Sequence, residues 1–243
     1  MPGILKAIFC AFIILTTSAG HCAQDIPYIK QDITSNKKWL CGAASLAMVY
    51  RSYGKKVDQR SIFYDIAVRN KAIGSYCSTS LQCRNVLKHG FYALDVKSRQ
   101  PLTLLNMFHD KWDNTRPRII FIQKAKGDDE GLHSTVMVDV TDKDVIVHDP
   151  LSRPFRLILK DVFMYLWSGQ GQNNYESIAV SDKRSSADRC RICGRPIPDF
   201  LICPNCRRKV ILQPNETVGC IFNDCAGRLW NEILCPYCDK YFS

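Results

Sequence analysis

The sequence predicts an α+β domain, with a helical lobe and an antiparallel sheet, followed by a small cysteine-rich module. Apolar residues recur at helical spacing up to about residue 108, and β-type runs follow from residue 118. Helices first and strands afterwards are typical of α+β domains. Eight of the thirteen cysteines fall after residue 189. We therefore expect a main domain at 25–180, a polar linker at 181–189 and a module at 190–243.

Composition excludes several classes of protein. The chain of 243 residues is 46% hydrophobic and 23% charged, which excludes a disordered chain, a coiled coil and a collagen. A single long apolar run, at the N-terminus, excludes a polytopic membrane protein. The net charge of +10 suggests nucleic acid, but no region combines a dense basic stripe with aromatic residues. The basic cluster 207–209 is too short to form such a stripe, so we expect no nucleic-acid partner.

The first 23 residues have the parts of a secretory signal peptide. A lysine precedes the apolar stretch 7–15, and small residues follow it. The stretch is too short to cross about 30 Å of hydrocarbon comfortably, which argues against a permanent transmembrane helix. Cleavage after Gly20 and cleavage after Ala23 both fit, and an uncleaved anchor stays open. We expect export to the periplasm or beyond the cell, with residues 1–23 as the signal peptide.

Four helices and three strands are predicted before residue 150. The first helix begins at Cys41, has small residues in its first turn, and ends near Tyr53-Gly54 because glycine readily adopts the left-handed conformation. The other helices are expected at 58–68, 80–88 and 102–108. Runs rich in β-branched residues predict strands at 118–122, 134–138 and 145–147.

A hairpin is expected to bring a histidine and an aspartate together. The segments 133–140 and 144–150 are separated by the three residues 141–143, which favours antiparallel pairing about a tight turn. His133 at the start of one segment and Asp149 at the end of the other then lie at the same end of the sheet. Opposed residues there have Cα atoms about 4.5–5.5 Å apart, within reach of a side-chain hydrogen bond.

Cys41 lies where a thiol becomes reactive. A helix N-terminus lowers the pKa of a thiol because unsatisfied N–H groups point at it. An imidazolium nearby completes the ion pair of nucleophilic cysteines, and a carboxylate fixes the tautomer of that imidazole. Taken alone, Cys41 and His133 are more often buried structural residues, and Asp149 before Pro150 is more often part of a turn. Together they predict a nucleophile, a base and an orienting acid.

These residues resemble a known family, the papain-like cysteine peptidases of the bacteriocin-processing type and their stand-alone relatives. The similarity extends over residues 25 to 180 and is weaker around 74–91 and Trp167. The blocks that carry it are 26–31, 41–49, 131–138 and 145–150. The cysteine block and the His-Asp-Pro block are fairly specific together and weak apart. The resemblance implies a papain-like fold in which Cys41, His133 and Asp149 form the catalytic triad.

One position departs from the family pattern. In that family a glutamine about six or seven residues before the cysteine helps to bind the oxyanion. Here Gln31 lies ten residues before Cys41, and Ser35 and Asn36 occupy the usual register. The resemblance favours Gln31 as the donor, with a short insertion around 37–39 looped out. The backbone N–H of Cys41 is the expected second donor.

The remaining cysteines and histidines of the main domain receive structural interpretations. Cys77 and Cys83 form a disulfide if the protein is exported, or stay free thiols, and their spacing does not decide between the two. We expect His148 to point away from the sheet face of Asp149, since neighbouring residues of a strand alternate. The histidines interpreted as structural are His21, His89, His109 and His148.

The tail contains four cysteine pairs with the spacing of metal knuckles. Nine residues separate the two pairs in each half, and two knuckles close a tetrahedral zinc site. The pattern resembles a double zinc ribbon with two structural zinc ions, closed to chemistry. A disulfide scaffold is the alternative, because export favours it. With few large apolar residues, the segment needs metal for folding energy. The expected ligands are Cys190, Cys193, Cys203, Cys206, Cys220, Cys225, Cys235 and Cys238.

The sequence therefore predicts a cysteine peptidase that acts on a peptide or protein substrate. Cys41 attacks the carbonyl, His133 exchanges the proton, Asp149 orients His133, and Gln31 helps to hold the oxyanion. The zinc ribbon stabilises the chain or docks a protein partner. An amidase or acyl transferase with the same triad stays open, as does an inactive peptidase fold that binds a peptide.

Overall fold

The computed structural model describes residues 25–32, 40–70, 74–109, 117–124, 132–172 and 174–243. The predicted signal peptide, His21, Ser35, Asn36 and the expected insertion at 37–39 lie outside these residues. Within the described ranges, none of the helices has the length and apolar character needed to cross a membrane.

Five α-helices are present in the described part of the chain, and four of them were expected from the sequence. The helices are α1 Cys41–Ser52, α2 Gln59–Ile66, α3 Thr79–Lys88, α4 Pro101–Asn106 and α5 Lys160–Trp167. The predicted helix 58–68 is shorter than expected, because Asp58 caps it and the chain turns into a strand at Ala67. The Asp58 side chain accepts the amides of Arg60 and Ser61, which satisfies two free N–H groups of the first turn.

The main sheet is antiparallel and has eight strands in the order β12-β11-β3-β8-β4-β5-β6-β7. Two small hairpins, β1-β2 and β9-β10, lie outside it. The strands are β1 Ala67–Asn70, β2 Gly74–Cys77, β3 Tyr92–Ser98, β4 Arg118–Lys124, β5 Leu132–Val140, β6 Asp144–His148, β7 Arg156–Leu159, β8 Glu176–Ser181, β9 Phe200–Ile202, β10 Lys209–Ile211, β11 Trp230–Cys235 and β12 Lys240–Phe242.

Both faces of the sheet are covered, which confirms the α+β class. Along β4 the side chains alternate between two cores. Ile120 and Ile122 pack in the core that contains α1, whereas Ile119 and Phe121 pack in the core that contains α5. Phe121 contacts the Trp167 ring edge-on, at 4.8 Å between centroids. The sheet therefore lies between two layers of helices, with one apolar core on each face.

Helix α1 is buried along most of its length, and its first turn is packed tightly. All residues from Cys41 to Tyr50 are buried. A Cβ on Gly42 would lie 3.0 Å from the Cβ of Cys77 and 3.0 Å from Nε2 of Gln82, so only glycine fits there without displacing a neighbour. Leu40, at the N-cap position, makes no side-chain hydrogen bond to the first turn. The helix therefore directs uncapped amides toward Cys41.

The cysteine-rich module continues the main sheet. Strand β11 pairs antiparallel with β3, with Ile233 opposite Val96. Leu94 and Val96 share an apolar cluster with Trp230 and Ile233 of the module. The segment expected to be a linker is hydrogen-bonded to the module, since the Ser185 amide donates to Gln213 Oε1 at 2.8 Å. The exact division into domains stays a prediction.

Trp230 is expected to anchor the module to the sheet. It is 1% exposed, and its indole N–H donates to the Cys220 carbonyl at 2.9 Å. We expect Trp230→Ala to destabilise the protein by about 3–5 kcal/mol, because a large buried ring is lost. The control is Ile192→Ala, because Ile192 is 69% exposed. It should change the free energy of unfolding by less than about 0.5 kcal/mol. Equal denaturant midpoints for the two variants would contradict this role.

Candidate active site and cysteine clusters

Cys41 is the first residue of α1 and is 6% exposed. Its sulfur accepts hydrogen bonds from the backbone amides of Gly42 and Ser134 and interacts with the side chain of His133. Helix α1 is fixed against β5 by the Ser45 hydroxyl, which donates to the Ser134 carbonyl at 3.2 Å. The thiol therefore lies between the N-terminus of the helix and the start of β5.

His133 and Asp149 are hydrogen-bonded, as the hairpin register predicted. Val136 of β5 lies opposite His148 of β6, so the start of β5 extends past the end of β6. The distance between His133 Nε2 and Asp149 Oδ1 is 2.8 Å. Because the carboxylate accepts the Nε2 proton, the other ring nitrogen, Nδ1, is left to face the thiol.

The pKa values of the three groups are shifted toward the charged forms. Burial raises the pKa of the Cys41 thiol, but His133 and the two amides outweigh burial and leave that pKa below its usual value. Burial lowers the pKa of His133, and the bonds to Asp149 and Cys41 raise it to about 9. For Asp149, burial is opposed by His133 and Arg156, which lower its pKa to about 2. The arrangement favours a thiolate–imidazolium pair at neutral pH.

Gln31 lies beside the loop that follows Asp149. It is 3% exposed, and its backbone amide donates to the Pro150 carbonyl at 2.8 Å. The Tyr28 hydroxyl donates to the Asp149 carbonyl at 3.1 Å. The segment 25–32 is thus fixed along the candidate site, and the role of Gln31 stays a prediction.

Three polar residues near the site were not identified from the sequence. Gln123 of β4 lies directly opposite His133 in the sheet register and is buried. Gln82 of α3 lies against Gly42. Arg156 Nη1 lies 2.5 Å from Asp149 Oδ2. The pairing of β4 with β5 would have identified Gln123, whereas no sequence pattern singles out Gln82 or Arg156.

Cys77 and Cys83 are not joined by a disulfide, so both keep their thiols, one of the two alternatives that the sequence left open. Burial and the nearby Cys41 raise the pKa of Cys77 to about 12, although the amides of Ala43 and Gly42 oppose the rise. Burial and the carboxylates of Asp95 and Glu176 also raise the pKa of Cys83. Neither thiol has the environment of a nucleophile.

The other described histidines make structural hydrogen bonds. His148 Nδ1 accepts the Phe155 amide at 3.2 Å, so Nε2 carries the proton and donates to the Ile26 carbonyl at 2.7 Å. Burial lowers the pKa of His148. His89 Nδ1 lies 2.8 Å from the Asn85 carbonyl. His109 Nε2 lies 3.0 Å from an Asp142 carboxylate oxygen.

The eight tail cysteines form two clusters, and the sulfur atoms of each lie within 4.8 Å of one another. In each cluster, two pairs of sulfur atoms lie 3.6–3.7 Å apart. A tetrahedral zinc ion with Zn–S bonds of about 2.3 Å requires sulfur atoms about 3.8 Å apart, so the cysteines fit such an ion. One cluster is Cys190, Cys193, Cys220 and Cys225, and the other is Cys203, Cys206, Cys235 and Cys238.

The two clusters are interleaved along the chain. The first pair joins the third and the second joins the fourth. Cys203 and Cys206 follow β9, and Cys235 and Cys238 lie where β11 turns into β12. The two turns meet at one site because they belong to neighbouring hairpins, a long-range contact that local spacing does not encode.

The chain is similar to a known protein family and to several solved structures. A sequence model of the Peptidase_C39 like family matches residues 23–173. The peptidase domain of Streptococcus ComA, a bi-functional ABC transporter involved in a quorum sensing pathway, is 21% identical, with a TM-score of 0.49 over 65% of this chain and 100% of that one. A putative C39-like peptidase from Bacillus anthracis is 17% identical, with a TM-score of 0.49 over 67% and 97%.

A double glycine motif protease from an AMS/PCAT transporter, solved with the leader peptide, is 21% identical, with a TM-score of 0.48 over 67% of this chain and 96% of that one. No curated protein sequence matches the chain. The family match spans more than half of the sequence, including Cys41, His133 and Asp149. The chain belongs to the Peptidase_C39 like family.

Proposed function

We propose that this protein is a cysteine peptidase that hydrolyses a peptide bond with Cys41, His133 and Asp149. The observation that supports it most is the connected series of contacts from the Cys41 sulfur through the His133 ring to the Asp149 carboxylate. The shifted pKa values favour the charged forms that such a peptidase needs. Membership of the family supports a peptidase-type function.

The proposed reaction has two stages. The Cys41 thiolate attacks the substrate carbonyl. The backbone N–H of Cys41 and the side-chain amide of Gln31 hold the oxyanion. His133 then donates its proton to the leaving amine as the C–N bond breaks and a thioester forms. Next, His133 takes a proton from water, the hydroxide attacks the thioester, and the C–S bond breaks. The product leaves as a carboxylic acid that loses its proton to solvent, and Cys41 is again a thiolate.

The experiment that tests this proposal is hydrolysis of a peptide library in water enriched in ¹⁸O, analysed by mass spectrometry. A peptidase forms new C-termini that carry the heavy oxygen from solvent. An acyl transferase forms products in which an added amine replaces that oxygen, and an amidase releases ammonia without cutting the chain. An inactive relative leaves every peptide intact while retaining some of them, which would overturn the proposal.

We also propose that the two cysteine clusters hold structural zinc. Four thiolates at tetrahedral spacing leave no open coordination position, so the ion contributes folding energy and no chemistry to the reaction. The pairing of β11 with β3 supports a role in stabilising the main sheet. Docking of a protein partner on the module and export through the N-terminal signal peptide remain part of this proposal.

A further inference from the structure

The Asp149 carboxylate is held on both of its oxygen atoms. Oδ1 accepts His133 Nε2 at 2.8 Å and the amides of Leu151 and Ser152 at 3.0 and 3.3 Å. Among the described residues, the hydrogen bond to Oδ2 comes from Arg156 Nη1, at 2.5 Å. A carboxylate accepts hydrogen bonds on both oxygen atoms, and contacts on both of them fix its plane.

The contacts to the two oxygen atoms are not equivalent. The amides of Leu151 and Ser152 belong to the loop that begins at Asp149 itself, and both of them contact Oδ1. Arg156 approaches from the next strand and contacts the opposite oxygen. Without Arg156, Oδ2 would be a buried acceptor that has lost this hydrogen bond, since the Asp149 side chain is only 3% exposed.

The backbone before Arg156 is strained in the conformation that produces this contact. Phe155 has a φ of 47°, in the left-handed region that bulky residues rarely adopt. Its amide donates to His148 Nδ1 at 3.2 Å, and its ring packs edge-on against the His148 ring. The chain then enters β7 with Arg156 opposite Val147. Strain of this kind collects at functional sites, where surrounding contacts maintain it.

We propose that Arg156 is a positioning residue for the reaction: it fixes the Asp149 carboxylate in the orientation that aligns His133 with Cys41. This inference rests on the proposed function. Arg156 contacts the Asp149 carboxylate, so it acts through Asp149. A purely structural ion pair would affect folding stability and leave the reactivity of Cys41 unchanged.

The test compares Arg156→Ala and Arg156→Lys with Arg153→Ala in the full chain. Arg153 is an exposed residue of the same loop, so its variant makes the same change of charge. For Arg156→Ala we expect kcat to fall about 10- to 100-fold with KM unchanged, because small misalignments in a catalytic group have effects of this size. Lysine should restore part of the rate. Because the Arg156 side chain is 29% exposed, added guanidinium ions should restore more.

A spectroscopic measurement separates this inference from the proposed function. The proton that His133 Nε2 shares with Asp149 should give a low-field NMR resonance whether or not the protein hydrolyses peptides. We expect that resonance to disappear in Arg156→Ala, to return with guanidinium, and to persist in Arg153→Ala. A folded Arg156→Ala that keeps the resonance, or that loses it without rescue by guanidinium and lysine, overturns the positioning role. Absence of hydrolysis by the unaltered chain counts against the proposed function alone.

Discussion

Cys41→Ser should abolish peptide hydrolysis, with kcat/KM lower by a factor on the order of 10⁴ or more, as expected when the nucleophile of a triad is lost. The helix N-terminus and His133 lower the pKa of the Cys41 thiol below its usual value, but the same environment cannot ionise a serine hydroxyl. Serine has nearly the same shape, so α1 should remain folded. The measurement is kcat/KM on a peptide identified by the library experiment.

Cys83→Ala is the matched control for this variant. Cys83 is 2% exposed, and burial raises the pKa of its thiol, so it has no part in the proposed reaction. The control should keep the full rate, with a modest loss of stability from the missing sulfur. If Cys41→Ser hydrolyses the peptide at about one tenth of the normal rate or faster, another group is the nucleophile.

Removal of metal should unfold the cysteine-rich module and weaken the main sheet. Structural zinc in zinc-finger peptides contributes about 10–16 kcal/mol at neutral pH, which is as large as the whole stability of a typical domain, about 5–15 kcal/mol. Loss of β11 would also expose the edge of β3 and the side chains of Leu94 and Val96. We expect a strong chelator to increase the solvent exposure of Trp230, observed by its fluorescence, and to lower the melting temperature.

The interleaved clusters make the metal prediction more specific. The purified chain should contain two zinc ions, one for each group of four cysteines. Cys203→Ser should lose the ion shared with Cys235 and retain the ion bound near Cys190, as measured by elemental analysis. Fewer than two ions in the unaltered chain, with cysteine pairs protected from alkylation as disulfides, would instead support the disulfide scaffold.

Local patterns predicted the parts of the candidate site that lie within single elements or a single hairpin. The small residues after Cys41 and the helical stripe behind them predicted α1 and the place of Cys41 in its first turn. The three-residue turn between β5 and β6 predicted the meeting of His133 and Asp149, because a short turn fixes the register.

Contacts between distant segments were not predictable in the same way. Nothing in the local pattern of β3 or β11 indicates that they pair, since their sequence separation exceeds 130 residues and each strand is short. The interleaving of the cysteine pairs depends on that same arrangement. The contact of Arg156 with Asp149 depends on the left-handed conformation of Phe155, which a sequence rule would not assign to a phenylalanine.

The most direct test of the central claim is the rate of alkylation of Cys41 as a function of pH, with each thiol followed by mass spectrometry in the full chain. We expect Cys41 to react rapidly at neutral pH, with a further change near pH 9 where His133 loses its proton. Cys77, with a pKa of about 12, and buried Cys83 should react far more slowly. If Cys41 reacts no faster than these two, or only as an ordinary thiol with a pKa of about 8.5, the proposed peptidase site is wrong.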